Sequence, residues 1–154
     1  MPIQDTQEFI IELEKQGELK RVKAEVDPDL EIAEILRREM YSNGPAILFE
    51  NVKGHTMPVL GNAFGSMKRL EIGLEMTDFT EIGQRITDMT KMDMPSGFLN
   101  KIKKLPELSK MTASFPKAES SGLVTEFTST DASFDDLPII KSWPNDAGRF
   151  ITLG

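Results

Sequence analysis

Cysteine is absent from this sequence, and histidine, tryptophan and tyrosine occur once each. Without cysteine there is no disulfide framework, no thiolate metal site and no cysteine nucleophile. The one histidine, His55, sits between Gly54 and Thr56 and reads as a turn residue with no visible acid–base partner. A zinc site there would need carboxylates alone to complete it, an uncommon donor set. Positive charge is in short supply: 18 Lys and Arg face 25 Asp and Glu, a net charge of −7. Phosphate backbones are held by basic surfaces, so no nucleic-acid partner is expected. No apolar run reaches the length that spans a bilayer. The opening MPIQDTQEFI has neither the basic start nor the apolar core of a signal peptide. The expected location is cytoplasmic.

What is present is an ordinary globular mixture, with 39% hydrophobic and 28% charged residues. A chain of 154 residues accommodates one domain, or one domain and part of another. The organising stretch is GPAILFENVKGHTMPVLGNAFG, residues 44–65. It predicts two short strands, 46–49 and 57–60, joined by a turn containing Gly54. Continuous rather than alternating apolarity suits a strand covered on both faces, and the flanking helices supply the cover.

Upstream, Asp5-Thr6-Gln7-Glu8 has the form of a capping box and opens a helix that carries Phe9, Ile10 and Leu13 on one face and stops at Gly17. Residues 19–26 read as a half-exposed strand, with Val22, Ala24 and Val26 at a period of two. A second helix is expected from Asp27 as N-cap and Pro28 as first helical residue, with Asp29 and Glu31 at the positive end of its dipole. Its buried stripe would be Ile32, Ile35, Leu36 and Met40, and Asn43-Gly44 would end it. A third helix follows Ser66 through 67–75, and a fourth opens at Asp78-Phe79-Thr80-Glu81 and carries Phe79, Ile82, Ile86 and Met89. After a break at Pro95-Ser96-Gly97, a short amphipathic helix is expected over 98–105, with a further turn over 106–110. Beyond Phe115 helical periodicity vanishes, and 123–128, 139–142 and 149–153 look like strands. The run Phe150-Ile151-Thr152-Leu153 is apolar and β-prone one residue from the end, which reads as a fragment cut within a second domain.

Candidate chemistry is sparse. Gly61-Asn62-Ala63-Phe64-Gly65-Ser66 precedes a helix, and backbone amides at such a place bind anions. Its glycine spacing is not that of a Walker loop and no Lys-Ser or Lys-Thr follows, so it reads as a tight turn capped by Ser66. Asp131, Asp135 and Asp136 offer hard oxygen ligands without EF-hand spacing and read as solvated turn residues. Met89, Met92 and Met94 could line an adaptable surface, or fill a core. The backbone at Gly148 could approach a ligand closely.

Three segments resemble the N-terminal part of the UbiD family of decarboxylases, the 3-octaprenyl-4-hydroxybenzoate carboxy-lyase-like enzymes. They are Phe9 to Gly17 with Leu19-Lys20-Arg21-Val22; Gly44 to Gly54 with Pro58 to Asn62, Phe64-Gly65-Ser66 and Arg69; and Leu137-Pro138 with Trp143-Pro144 and Asp146 to Thr152. The resemblance implies an α+β fold: a small mixed sheet flanked by helices over residues 1–115, then the first strands of a split β-barrel flavin-binding domain over 116–154. It implies reversible, non-oxidative decarboxylation of an aromatic or α,β-unsaturated acid with prenylated FMN, a divalent metal and a monovalent cation. In such enzymes the protein binds, orients and supplies a proton. A UbiX-type flavin prenyltransferase would supply the cofactor, and the full protein would be a homo-oligomer. No catalytic residue and no metal ligand of the family maps onto this sequence. Thr152 is the candidate flavin- or substrate-proximal residue, and an ordinary strand threonine is the alternative. The chain alone is expected to bind no cofactor and to be inactive. The rival readings are a non-catalytic binding or assembly module, and one half of a split decarboxylase.

Overall fold

The structure, a computed structural model, describes residues 3–76, 78–90, 118, 120, 122 and 125–152. The chain forms two compact units, Met1–Asp78 with Ala132–Gly154, and Phe79–Asp131.

In the first unit the elements run α1 (Thr6–Lys15), β1 (Leu19–Val22), α2 (Glu31–Tyr41), β2 (Ala46–Phe49), β3 (Val59–Gly61) and α3 (Met67–Leu74). The sheet order is β1-β2-β3. β1 and β2 are parallel, from Leu19 opposite Ala46 to Val22 opposite Phe49, and α2 makes the crossover between them. β3 returns antiparallel to β2, with Ile47 opposite Gly61 and Phe49 opposite Val59. Every residue of β2 is buried, as its unbroken apolar run requires. The pleat sends alternate side chains to opposite faces. Ile47 and Phe49 join Val26, Ile32 and Val52 in one core, against which Ile35 and Leu36 of α2 pack. Ala46 joins Phe9 and Leu13 of α1 and Ile72 of α3 in the other. At Gly61, α2 approaches so closely that an added Cβ would meet Leu36 Cδ2 at 2.3 Å.

The caps of α1 and α3 follow the sequence signals. Asp5 accepts the Glu8 N–H at 2.9 Å, while the Glu8 carboxylate accepts the Gln4 N–H rather than that of Asp5. Gly17 takes φ +73° just beyond α1, a conformation that costs glycine no Cβ clash. Ser66 caps α3 by accepting the Arg69 N–H at 3.2 Å. In the second unit, α4 (Thr80–Thr90) occupies the place expected for the fourth helix.

Several expectations are corrected. The strand expected over 19–26 stops at Val22; Val26 is buried and makes only an isolated parallel bridge to Val52, outside the sheet's strands. The second helix starts at Glu31, not Pro28, because the backbone of Pro28 and Leu30 is engaged elsewhere: the Lys141 N–H donates to Pro28 O at 3.0 Å, and the Leu30 N–H donates to Lys141 O at 3.1 Å. Met40 leaves the buried stripe and is 55% exposed. The second hairpin strand begins at Val59, with Met57 half-exposed before it. The late strands do not form: 125–128 and 149–152 lie in no strand, and 139–142 contributes only the bridge of Lys141 to Asp29. A β-prone run becomes a strand only when another backbone completes its ladder. The break at 95–97, the helix and turn expected over 98–110, the boundary at Phe115, Met92, Met94 and residues 123, 124 and 153 lie outside the described residues, as does the side chain of Met89.

Candidate functional site

α2 carries two stripes. Ile32, Ile35 and Leu36 face the sheet. Ala33, Arg37 and Met40, spaced by three or four residues, line a groove of about 600 Å³ together with Leu30 just before the helix. The opposite wall is a strap, Ile140, Ser142, Trp143 and Pro144, and Asn62 reaches the groove as well. The parallel bridge of Asp29 to Lys141 holds the strap in place. Beyond it the turn is closed by Asp146, whose Oδ2 accepts the Trp143 N–H at 2.9 Å. Trp143 is 61% exposed. The Asn62 Nδ2 donates to Gly44 O at 3.1 Å and to Pro45 O at 3.0 Å.

The groove's charges are already paired. Glu34 accepts Arg37 Nε at 2.7 Å and Arg37 Nη2 at 2.9 Å, and Arg38 Nε at 2.7 Å. These bonds, first to Arg37 and then to Arg38, lower its carboxyl from 4.5 to about 2. Glu34 is therefore ionised at neutral pH and has no proton to give as a general acid. The Arg37 guanidinium also lies 5.6 Å from the Tyr41 ring centroid. An apolar, open groove of this size with fixed polar groups on its rim is suited to binding rather than to bond-making.

The Gly61–Ser66 turn is not arranged as an anion cradle. Both nearby cations turn to Glu18: Lys68 Nζ lies 3.0 Å from its Oε1 and Arg69 Nη1 3.0 Å from its Oε2. Arg69 is 1% exposed, and its Nε and Nη2 are buried without a hydrogen-bond partner. Lys68 first, then Arg69, holds the Glu18 carboxyl below its ordinary value. His55 is a turn residue whose N–H donates to Val52 O at 3.0 Å, and its Nδ1 is buried without a partner. Asp135 and Asp136 belong to the 3-10 turn Phe134–Asp136, where Asp136 and Ser133 form a capping box. The Asp131 N–H donates to Ser129 Oγ at 3.2 Å. Among the described residues no three His, Cys, Asp or Glu side chains are grouped to hold a metal ion. An added Cβ at Gly148 would meet open space. Thr152 is exposed and outside any strand.

A flavin phosphate would call for converging cations or free amides. At the Gly61–Ser66 turn and in the groove the nearby cations, Lys68, Arg69, Arg37 and Arg38, are engaged with carboxylates. Sequence reading missed the groove and the burial of Arg69. The first had a signal, the second stripe of α2. The second had none, since Glu18 and Arg69 are 51 positions apart.

Residues 10–86 match the model of the 3-octaprenyl-4-hydroxybenzoate carboxy-lyase N-terminal domain. An uncharacterized protein of Aquifex aeolicus is 45% identical over 153 residues, 97% of this chain and 32% of its own length. Another, from Archaeoglobus fulgidus, is 41% identical over 153 residues, 99% of this chain and 31% of its own. The chain thus spans about a third of these relatives. Among solved structures, the vanillic acid decarboxylase of Sedimentibacter hydroxybenzoicus is 34% identical, with a TM-score of 0.48 over 53% of this chain and 19% of that one. The UbiD-class enzyme HmfF of Pelotomaculum thermopropionicum, in complex with prFMN, is 34% identical, with a TM-score of 0.42 over 46% of this chain and 16% of that one. No helix among the described residues is long and apolar enough to cross a membrane. With half of its length matched to that family model, the chain belongs to the UbiD family and carries the family's N-terminal domain.

Proposed function

We propose that this chain is the N-terminal part of a prenylated-FMN-dependent carboxy-lyase acting reversibly on an aromatic or α,β-unsaturated acid. The observation that carries the reading is the family match over 10–86, supported by identity running over nearly the whole chain with relatives three times as long. In this reading residues 1–115 are the N-terminal domain and 116–154 begin a split barrel. Apart from an approach by Thr152, the flavin, the divalent metal and the monovalent cation are held by polypeptide outside these residues. A UbiX-type prenyltransferase supplies the flavin, and the complete enzyme is a cytoplasmic homo-oligomer. The part played by the present residues is scaffolding: a sheet covered on both faces gives the catalytic remainder a rigid neighbour.

Thr152 is the one residue proposed to approach the flavin or the substrate. In the complete, flavin-loaded enzyme, Thr152→Ala is expected to lower flavin retention and the rate together, measured by absorbance of the desalted protein and by release of carbon dioxide. Wild-type retention and rate in that variant would remove Thr152 from the site.

The activity test uses the complete protein, co-expressed with a prenyltransferase and offered aromatic and α,β-unsaturated acids in ¹³C-bicarbonate. Exchange of label into the carboxyl group is expected with the complete protein and not with the 154-residue chain given the same cofactor. Turnover by the short chain alone would contradict the proposal. Absence of exchange from the loaded complete protein with every acid class offered would favour a binding or assembly role.

A further inference from the structure

The start of α2 disagrees with its own sequence, and the disagreement is localised at Leu30. This residue has φ +70° and ψ −32°, a positive-φ conformation that strains a side-chain-bearing residue. The Glu31 N–H donates to Asp29 O at 2.9 Å, which closes a three-residue γ-turn with Leu30 at its centre, the rare and strained kind. Meanwhile the parts of an earlier helix start are already assembled. Asp27 Oδ1 accepts the Asp29 N–H at 2.9 Å, as an N-cap does. Pro28 stands at the position where a missing N–H costs nothing. Glu31 Oε2 reaches back to the Asp27 N–H at 2.7 Å.

The obstacle to that earlier start is the strap. Lys141 gives its N–H to Pro28 O and takes the Leu30 N–H on its own carbonyl. A helix from Pro28 would instead have Pro28 O accept the Ile32 N–H, which now reaches Asp27 O at 3.2 Å. It would also require Leu30 to return to ordinary helical angles.

We infer that Pro28, Asp29 and Leu30 form a two-state joint and that the strap selects its state. With the strap docked, α2 begins at Glu31 and Leu30 is strained. With the strap released, α2 extends back to Pro28 under the Asp27 cap, and the γ-turn is gone. Leu30 and Met40 line one wall of the groove, and Trp143 and Pro144 line the other. The inference does not depend on the carboxy-lyase reading.

The test uses the full 154-residue chain, whose single tryptophan lies on the strap. Lys141→Pro deletes the N–H that holds Pro28 O. In this variant the ¹³Cα shifts of Asp29, Leu30 and Glu31 are expected to move to helical values, and Trp143 emission to shift to the red. Wild-type shifts at those three residues would overturn the inference. Should Lys141→Pro not fold, Leu30→Gly provides the opposite arm. Glycine removes the strain of the γ-turn and disfavours the extended helix, so exchange of the Lys141 amide should slow about tenfold. Unchanged or faster exchange at Lys141 would equally overturn it.

Discussion

Leu36 and Gly61 show how narrowly a single position is specified. A side chain at Gly61 requires Leu36 to move, because Leu36 Cδ2 and Cδ1 would lie 2.3 and 2.5 Å from its Cβ. Gly61→Ala is expected to cost about 1–3 kcal/mol in denaturant unfolding, the usual penalty of overpacking. Glu18 and Arg69 are specified as a pair. Arg69 is buried and has one carboxylate partner, so Glu18→Ala leaves its charge uncompensated and should cost about 3 kcal/mol. Arg69→Met should cost less, because it also removes two buried donors that have no acceptor. Glu18 also gives this region its acid response. Its folded pKa lies below the ordinary 4.5, so its contribution is complete above that pH and is lost as pH falls further. Denaturant midpoints from neutral pH to pH 3 should therefore fall less steeply for Glu18→Gln than for the native chain. An equal slope would remove Glu18 from the acid response.

Among elements, those that close on themselves were legible. α1 and α3 could be placed because Asp5 and Ser66 supply caps, and α1 also because Phe9, Ile10 and Leu13 fall on one face at helical spacing. Asp5→Ala and Ser66→Ala should each cost about 0.5–2 kcal/mol, read by thermal unfolding. β2 was legible for a related reason: four consecutive apolar residues between turn signals have to be covered on both sides. The elements that depend on a distant chain were not legible. The start of α2 moved by three residues because a strap more than 100 positions away occupies its backbone. Residues 149–152 have strand propensity but no neighbouring ladder among the described residues.

At the scale of the whole molecule, one sheet is covered by helices on both faces, and two carboxylates beside it each hold two cations. Glu34 is paired with Arg37 and Arg38, and Glu18 with Lys68 and Arg69. That distribution is consistent with the supporting role proposed for these residues, and the ¹³C-bicarbonate exchange comparison of the complete protein with the short chain tests it. The sequence by itself determined the caps of α1 and α3, the buried central strand, the absence of any thiol chemistry and the family, because each is written in the residues themselves and their near neighbours along the chain. Only the tertiary structure decided that Arg69 is buried, that Leu30 is strained, and that α2 and residues 140–144 enclose a groove. Those features depend on which distant backbone or charge arrives as a neighbour, and no local pattern of side chains records that.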